Sequence, residues 1–393
     1  MNYRICNRCV MDTTDPEIYF DELGNCNHCN QLEHEKKTIL RKLQNQTALK
    51  NLITEISNSN LNGKYNCVVG ISGGTDSCFV LHSAVKLGLK PLAVHVDNGW
   101  NSEVAVSNIE KIIKKLDVDL HTEVLDWAQF KNLQRAFLRS GTKDCEVPTD
   151  HLIRASLVAV AKKYGIKYSL NGRNYSTEGI MPVSWSYGAI DWKYIKSVNK
   201  IIDGSRLDKL NGMNLFSQIT SVFQGMKSIS LLIYIDFDKE KSMELLSEKY
   251  GWQAYTGKHY ESLYTKWYQG YYLFKKFGVD KRKAHLSVLI CNGNMSRERA
   301  LAELKTLPYD IKTEQIENDY IKTKLEMRQS EVDELMQAEN KTYVDYPNNS
   351  LFLNGAKNKL VLDTLVILRQ LKILPSGFAD RAIAQHAAKK QDG

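Results

Sequence analysis

A chain of 393 residues, 43% hydrophobic and 25% charged, has an ordinary soluble composition and is long enough for two or three domains. No apolar run approaches the roughly 20 residues that span a bilayer, and "MNYRICNRC" has no hydrophobic signal region, so a cytoplasmic protein is expected. Its eight cysteines should then be reduced, which favours metal binding or catalysis over disulfides, while the scattered net charge of +8 suits anionic nucleotides and excludes little.

Residues 1–32 carry four of the cysteines as two knuckles, Cys6-x2-Cys9 and Cys26-x2-Cys29, sixteen residues apart. Tetrahedral zinc takes four soft ligands, and paired knuckles supply them from two tight turns. The spacing therefore predicts a closed structural site on Cys6, Cys9, Cys26 and Cys29, with His28 as an alternative donor. Such a metal contributes on the order of 10 kcal/mol to folding a module with almost no core. Over 33–62, Leu40, Leu43, Ile53 and Ile56 are spaced for one connecting helix, which gives way to the polar linker "SNSNLNGK".

Strands and helices alternate from 63 to 205. "YNCVVGI", "PLAVHVDNGW", "DVDLHTEVL" and "IKYSLNG" are strand-like, and helical spacing follows in 77–88, 103–116, 127–138 and 148–164. This order predicts a parallel α/β sheet with helices on both faces. Ligands bind outside the carboxyl ends of such strands, which puts 72–77, 96–99 and 171–174 around one crevice. The strand signal fades after about residue 175. Residues 206–393 are expected to be mixed and then, from 265 to 374, mostly helical.

The most informative stretch is "GISGGTDSCFVLHSAVKLG", a glycine turn between strand and helix. Its glycines let the backbone approach a ligand, and free N–H groups at the positive end of a helix dipole favour an anion such as phosphate. Neither G-x-x-x-x-G-K-S/T nor G-x-G-x-x-G fits. Ser72-Gly73-Gly74-Thr75-Asp76-Ser77 instead matches S-G-G-x-D-S and resembles the PP-loop ATP pyrophosphatases, which cleave ATP between the α and β phosphates. A four-cysteine head before that motif is shared by tRNA-thiolating enzymes and by the N-acetyl sugar amidotransferases of bacterial surface-polysaccharide and flagellar-sugar synthesis. "RICNRCVMDTTDP", "VHVDNGWNS", "PTDH" and "NGRNYSTEG" extend the resemblance, and "GKHYES" and "DKRKAHLSVLI" are similar to the sugar group in particular.

The resemblance implies a parallel-sheet, HUP-like PP-loop domain, an N-terminal zinc-ribbon-like module and a mostly helical C-terminal substrate or partner region. It implies an enzyme that adenylates an acetamido oxygen with ATP, lets ammonia attack the imidate carbon, and releases AMP and pyrophosphate. Ser72, Gly73, Gly74, Thr75 and Ser77 are then expected at the β and γ phosphates, Asp76 at Mg2+, Val96 and Asp97 near adenine and ribose, and Gly172 at the same crevice. Glu178 is placed to bind metal or deprotonate ammonium, or is a solvated loop acid. Lys258, His259 and Arg282 are cationic candidates for the α-phosphate or substrate, or ordinary solvated side chains. Trp185, Tyr187 and Trp192 offer faces for sugar or base stacking, or pack a domain interface. Cys145 and Cys291 stand alone, and the resemblance gives Cys291 no role. By resemblance a separate class I glutaminase subunit supplies ammonia and the substrate is a nucleotide-linked acetamido sugar, with tRNA the substrate only on the thiolation alternative.

Overall fold

The computed structural model describes residues 3–43, 45–187, 189–255 and 260–349. Five strands form one wholly parallel sheet in the order β3-β2-β1-β4-β5: β1 Cys67–Gly70, β2 Pro91–Asp97, β3 Leu120–Val124, β4 Tyr168–Asn171 and β5 Lys227–Ser230. The central β1 and β2 are buried almost throughout, as strands covered on both faces must be. Four strands coincide with those expected, and β5 is an addition. Its sequence, K-S-I-S, has one apolar residue and lies at the sheet edge, where one side needs no partner.

Two helices precede the sheet, α1 Asn27–Leu43 and α2 Gln46–Asn58, where one connecting helix was expected. Asn45 supplies the break: its side chain accepts from the Ala48 amide and caps α2. Within the sheet domain run α3 Thr75–Lys86, α4 Glu103–Leu116, α5 Trp127–Arg139, α6 Val147–Lys163, α7 Trp192–Ile202, α8 Leu215–Phe223 and α9 Lys239–Tyr250. Ser102 caps α4 through the Ala105 amide, and Pro148 opens α6 where its missing N–H costs nothing. The chain continues through α10 Leu263–Trp267, a π-helical turn Tyr268–Tyr272, α11 Leu273–Phe277, α12 Arg282–Cys291, α13 Arg297–Glu303, α14 Ile311–Lys324 and α15 Gln329–Gln337. Among the described residues no helix is long and apolar enough to cross a membrane.

Candidate active site

The turn after β1 is built so that one carbonyl is taken up by the protein and the following amide points away from those partners. Gly73 has φ +83°, and a Cβ there would meet the Ala105 carbonyl oxygen at 2.5 Å, so both conformation and space demand glycine. Its carbonyl accepts from Trp252 Nε1 at 2.8 Å and from the Tyr255 hydroxyl at 3.1 Å. The Gly74 N–H lies antiparallel to that carbonyl in the same peptide plane and is therefore turned the other way, toward Ser72 Oγ at 3.4 Å. Ser77 Oγ closes the turn, 3.2 Å from both the Ser72 amide and Ser72 Oγ. Ser72 is exposed, and Thr75 begins α3 as a buried residue. These internal bonds, at 3.2 to 3.4 Å, are long and are ones that phosphate oxygens can replace.

The neighbouring strand tips meet this turn. Asn174 Nδ2 donates to Asp76 Oδ2 at 3.0 Å, and Asn174 is itself fixed because its Oδ1 accepts from the Thr177 amide and hydroxyl. A Cβ on Gly172 would lie 3.0 Å from Asp76 Cβ, so this glycine lets the end of β4 press against the acid. On β2, Val96 is buried, and Asp97 Oδ1 accepts from the Gly99 amide at 2.9 Å and Asn101 Nδ2 at 3.0 Å. The end of β4 thus packs beside the turn, while β2 runs parallel to β1 with Val94 opposite Gly70. Glu178 is half-buried in the loop after β4, and that loop is pinned by His285 and Asn292 side chains on the Thr177 and Tyr175 carbonyls.

One acid at the turn escaped the sequence reading. A Cβ built on Gly74 would lie 3.2 Å from Glu261 Oε1, so the Glu261 carboxylate reaches the glycine turn. Its backbone is held there: the Ser102 amide donates to the Glu261 carbonyl, and the Leu263 amide donates to the Trp100 carbonyl. Glu261 falls inside "GKHYES", immediately before Ser262, which caps α10; an acid next to a capping serine was the available signal. Lys258 and His259 lie outside the described residues.

The other substrate candidates are engaged in packing. Trp185 is fully buried, and Trp192 stacks on His151 at 5.0 Å with Gly212 against its other atoms. Both rings pack within the protein, and Trp185 also lines the cleft beside Tyr187. Tyr187 stacks on Tyr343 at 3.8 Å and donates to Asp191, at the edge of a cleft of about 240 Å³ that Lys143 and Lys341 also line. Arg282 forks onto Asp280 and donates to the Thr306 carbonyl at 2.7 Å, so its guanidinium fixes the loop after α13.

The four knuckle cysteines are brought together. Their sulfurs all lie within 4.8 Å of one another, with Cys6–Cys29 at 3.9 Å, Cys9–Cys26 at 3.7 Å and Cys26–Cys29 at 3.6 Å. The edge of a tetrahedron of sulfurs at zinc–thiolate bond length is about 3.8 Å, so the donor set fits a single tetrahedral ion. Backbone amides of Cys9, Cys26 and Met11 point at the sulfurs, as suits thiolate charge. His28 is not part of the set, because its Nε2 pairs with Asp15 at 2.7 Å. Cys291 joins the group unexpectedly, its sulfur 3.6 Å from that of Cys29. Cys145 is fully buried and its thiol bonds to the Phe137 and Thr142 carbonyls.

Comparison with known proteins matches two segments of the chain. Residues 66–164 match the family model of the queuosine biosynthesis protein QueC, and residues 261–359 match the C-terminal domain of the WbpG-like LPS biosynthesis proteins. The chain thus carries a QueC-like PP-loop segment and, after it, a segment similar to the WbpG-like C-terminal domain. An uncharacterized protein of Methanocaldococcus jannaschii is 32% identical over 111 residues, 28% of this chain and 39% of that relative. The chain thus spans about two fifths of the curated relative it matches. Among solved structures, the NMN synthetase from Francisella tularensis aligns with a TM-score of 0.27 at 19% identity, covering 53% of this chain and 96% of that one. The tRNA thiolase NcsA from Methanococcus maripaludis, with its 4Fe-4S cluster, aligns with a TM-score of 0.32 at 16% identity, covering 77% and 89%. The PP-loop segment and the WbpG-like segment meet at the glycine turn, since Glu261 is the first residue of the latter.

Proposed function

We propose that this PP-loop protein is an ATP-dependent amidotransferase, converting the acetamido group of a nucleotide-linked sugar of lipopolysaccharide synthesis to an acetamidino group. The observation that carries the reading is the meeting of a PP-loop turn with the first residue of a WbpG-like domain. An amide carbon resists ammonia until its oxygen becomes a leaving group, and adenylation achieves that with departure of pyrophosphate. The Gly73 and Gly74 amides, with the Ser72 and Ser77 hydroxyls, would receive the pyrophosphate at the start of α3. Asp76 and Glu261, both at the turn, are the carboxylates that would hold Mg2+ against it. The cysteine module would hold one structural zinc, and a class I glutaminase subunit would deliver ammonia.

The attack needs no protein nucleophile. This agrees with Cys145, whose thiol is pushed well above its ordinary range by burial, then by Asp144 and Glu146. Incubation with ATP, Mg2+, an ammonium salt at high pH and nucleotide-linked acetamido sugars should yield AMP, pyrophosphate and a sugar lighter by the difference between oxygen and NH. Asp76→Asn should lower AMP formation about 100-fold or more with an unchanged unfolding midpoint. ADP as the product, or thiolated tRNA with every sugar unaltered, would overturn the reading.

A further inference from the structure

A tetrahedral ion uses four thiolates, yet five sulfurs gather at the cysteine module. The fifth, Cys291, comes from the end of α12 in the WbpG-like domain, 262 residues from Cys29 in sequence and 3.6 Å from it in space. All eight cysteines are described, and their surroundings separate them. Cys67, Cys78 and Cys145 are fully enclosed, and burial pushes the Cys67 and Cys78 thiols up to about 12. Cys6, Cys9, Cys26 and Cys29 are likewise at 0% exposure, whereas Cys291 retains 9%. Of the five, Cys291 alone keeps any exposure, and it offers a small oxidant the most open approach. A disulfide requires the sulfurs to close from 3.6 Å to about 2 Å.

We infer that Cys29 and Cys291 form an oxidative modification site: peroxide joins them as a disulfide, releases the metal, and ties the cysteine module covalently to the WbpG-like domain. The Cys291 thiolate attacks one peroxide oxygen; the O–O bond breaks, leaving sulfenic acid on Cys291 and hydroxide, which takes up a proton. The Cys29 thiolate then attacks the sulfenic sulfur and the S–O bond breaks, releasing a second water after protonation. In sum two thiols and one peroxide give one disulfide and two waters. The ion, left with three thiolates, is released. This inference rests on the fit of the four cysteines to a metal and is independent of the reaction proposed above.

The test uses the full chain loaded with one equivalent of zinc and treated with hydrogen peroxide, with released zinc followed by a chromogenic chelator and disulfides mapped by peptide mass. The wild type should release zinc and yield a peptide pair linked through Cys29 and Cys291. Cys291→Ser should release zinc about tenfold more slowly, Cys145→Ser should match the wild type, and a dithiol with added zinc should restore the metal. Zinc loss from Cys291→Ser at the wild-type rate, or disulfides confined to pairs among Cys6, Cys9, Cys26 and Cys29, would overturn the inference. The disulfide map of the wild type decides the matter without any variant.

Discussion

His151, the last residue of the P-T-D-H stretch, is held as a neutral imidazole by what lies at each nitrogen. Its Nδ1–H donates to the Ala189 carbonyl at 3.0 Å, and its Nε2 accepts from the Met213 amide at 2.9 Å. A second proton would face an N–H donor. Burial, opposed only in part by the Ala189 carbonyl, pushes the imidazole from 6.5 down to about 4. The unfolded chain therefore binds the extra proton first. The stabilisation is fully present above pH 6.5 and is lost as pH falls toward 4, by up to about 3 kcal/mol. Urea titrations should show the wild-type midpoint falling over that window and a flatter profile for His151→Gln, with imidazole NMR shifts still neutral at about pH 5.5. A protonated imidazole at that pH would sink the assignment.

At the scale of elements, the cysteine module is docked on α12 and α13 by bonds to its own backbone. Arg297 donates to the Cys9 carbonyl at 3.0 Å and the Cys6 carbonyl at 2.9 Å, and the Val10 amide donates to Ser287 Oγ. Lys283 pairs with buried Asp12 across the same interface. These bonds satisfy carbonyls that the tight knuckle leaves unpaired. Arg297→Ala should cost about 2 kcal/mol locally, read as faster amide exchange over 5–11 and quicker metal loss to a chelator. Unchanged exchange there would show that the metal alone orders the knuckle. Of the cations in the "DKRKAHLSVLI" stretch, Lys283 takes part in this docking, while Arg282 pairs with Asp280 of the stretch itself.

Across the whole molecule, the four knuckle cysteines belong to the same apolar cluster as Trp185, Tyr268 and Leu325, while β1 and β2 pack into two separate clusters. Removing the metal should therefore loosen the first cluster before the sheet. Chelation under reducing conditions is expected to lower the first calorimetric transition by several degrees and to unprotect the module and α12, with β1 and β2 amides still protected. Simultaneous loss of protection in β1 would contradict this division.

Sequence by itself determined what is local. The knuckle spacing, the glycine turn, four of five strands and the Ser102 cap each depend on residues a few positions apart, whose sterics and hydrogen bonds are the same in any fold. Gly172 could be placed beside Asp76 because parallel strands bring their carboxyl ends together. Tertiary structure decided the rest. Glu261 reaches Gly74, and Cys291 reaches Cys29, across separations that leave no periodicity to detect. Trp192 carries the same aromatic signal whether it stacks on a ligand or in a core, and only the structure sets it against His151. β5 shows the same limit from the other side: an edge strand is stabilised by the backbone of β4, and its own four residues need no apolar pattern to pair.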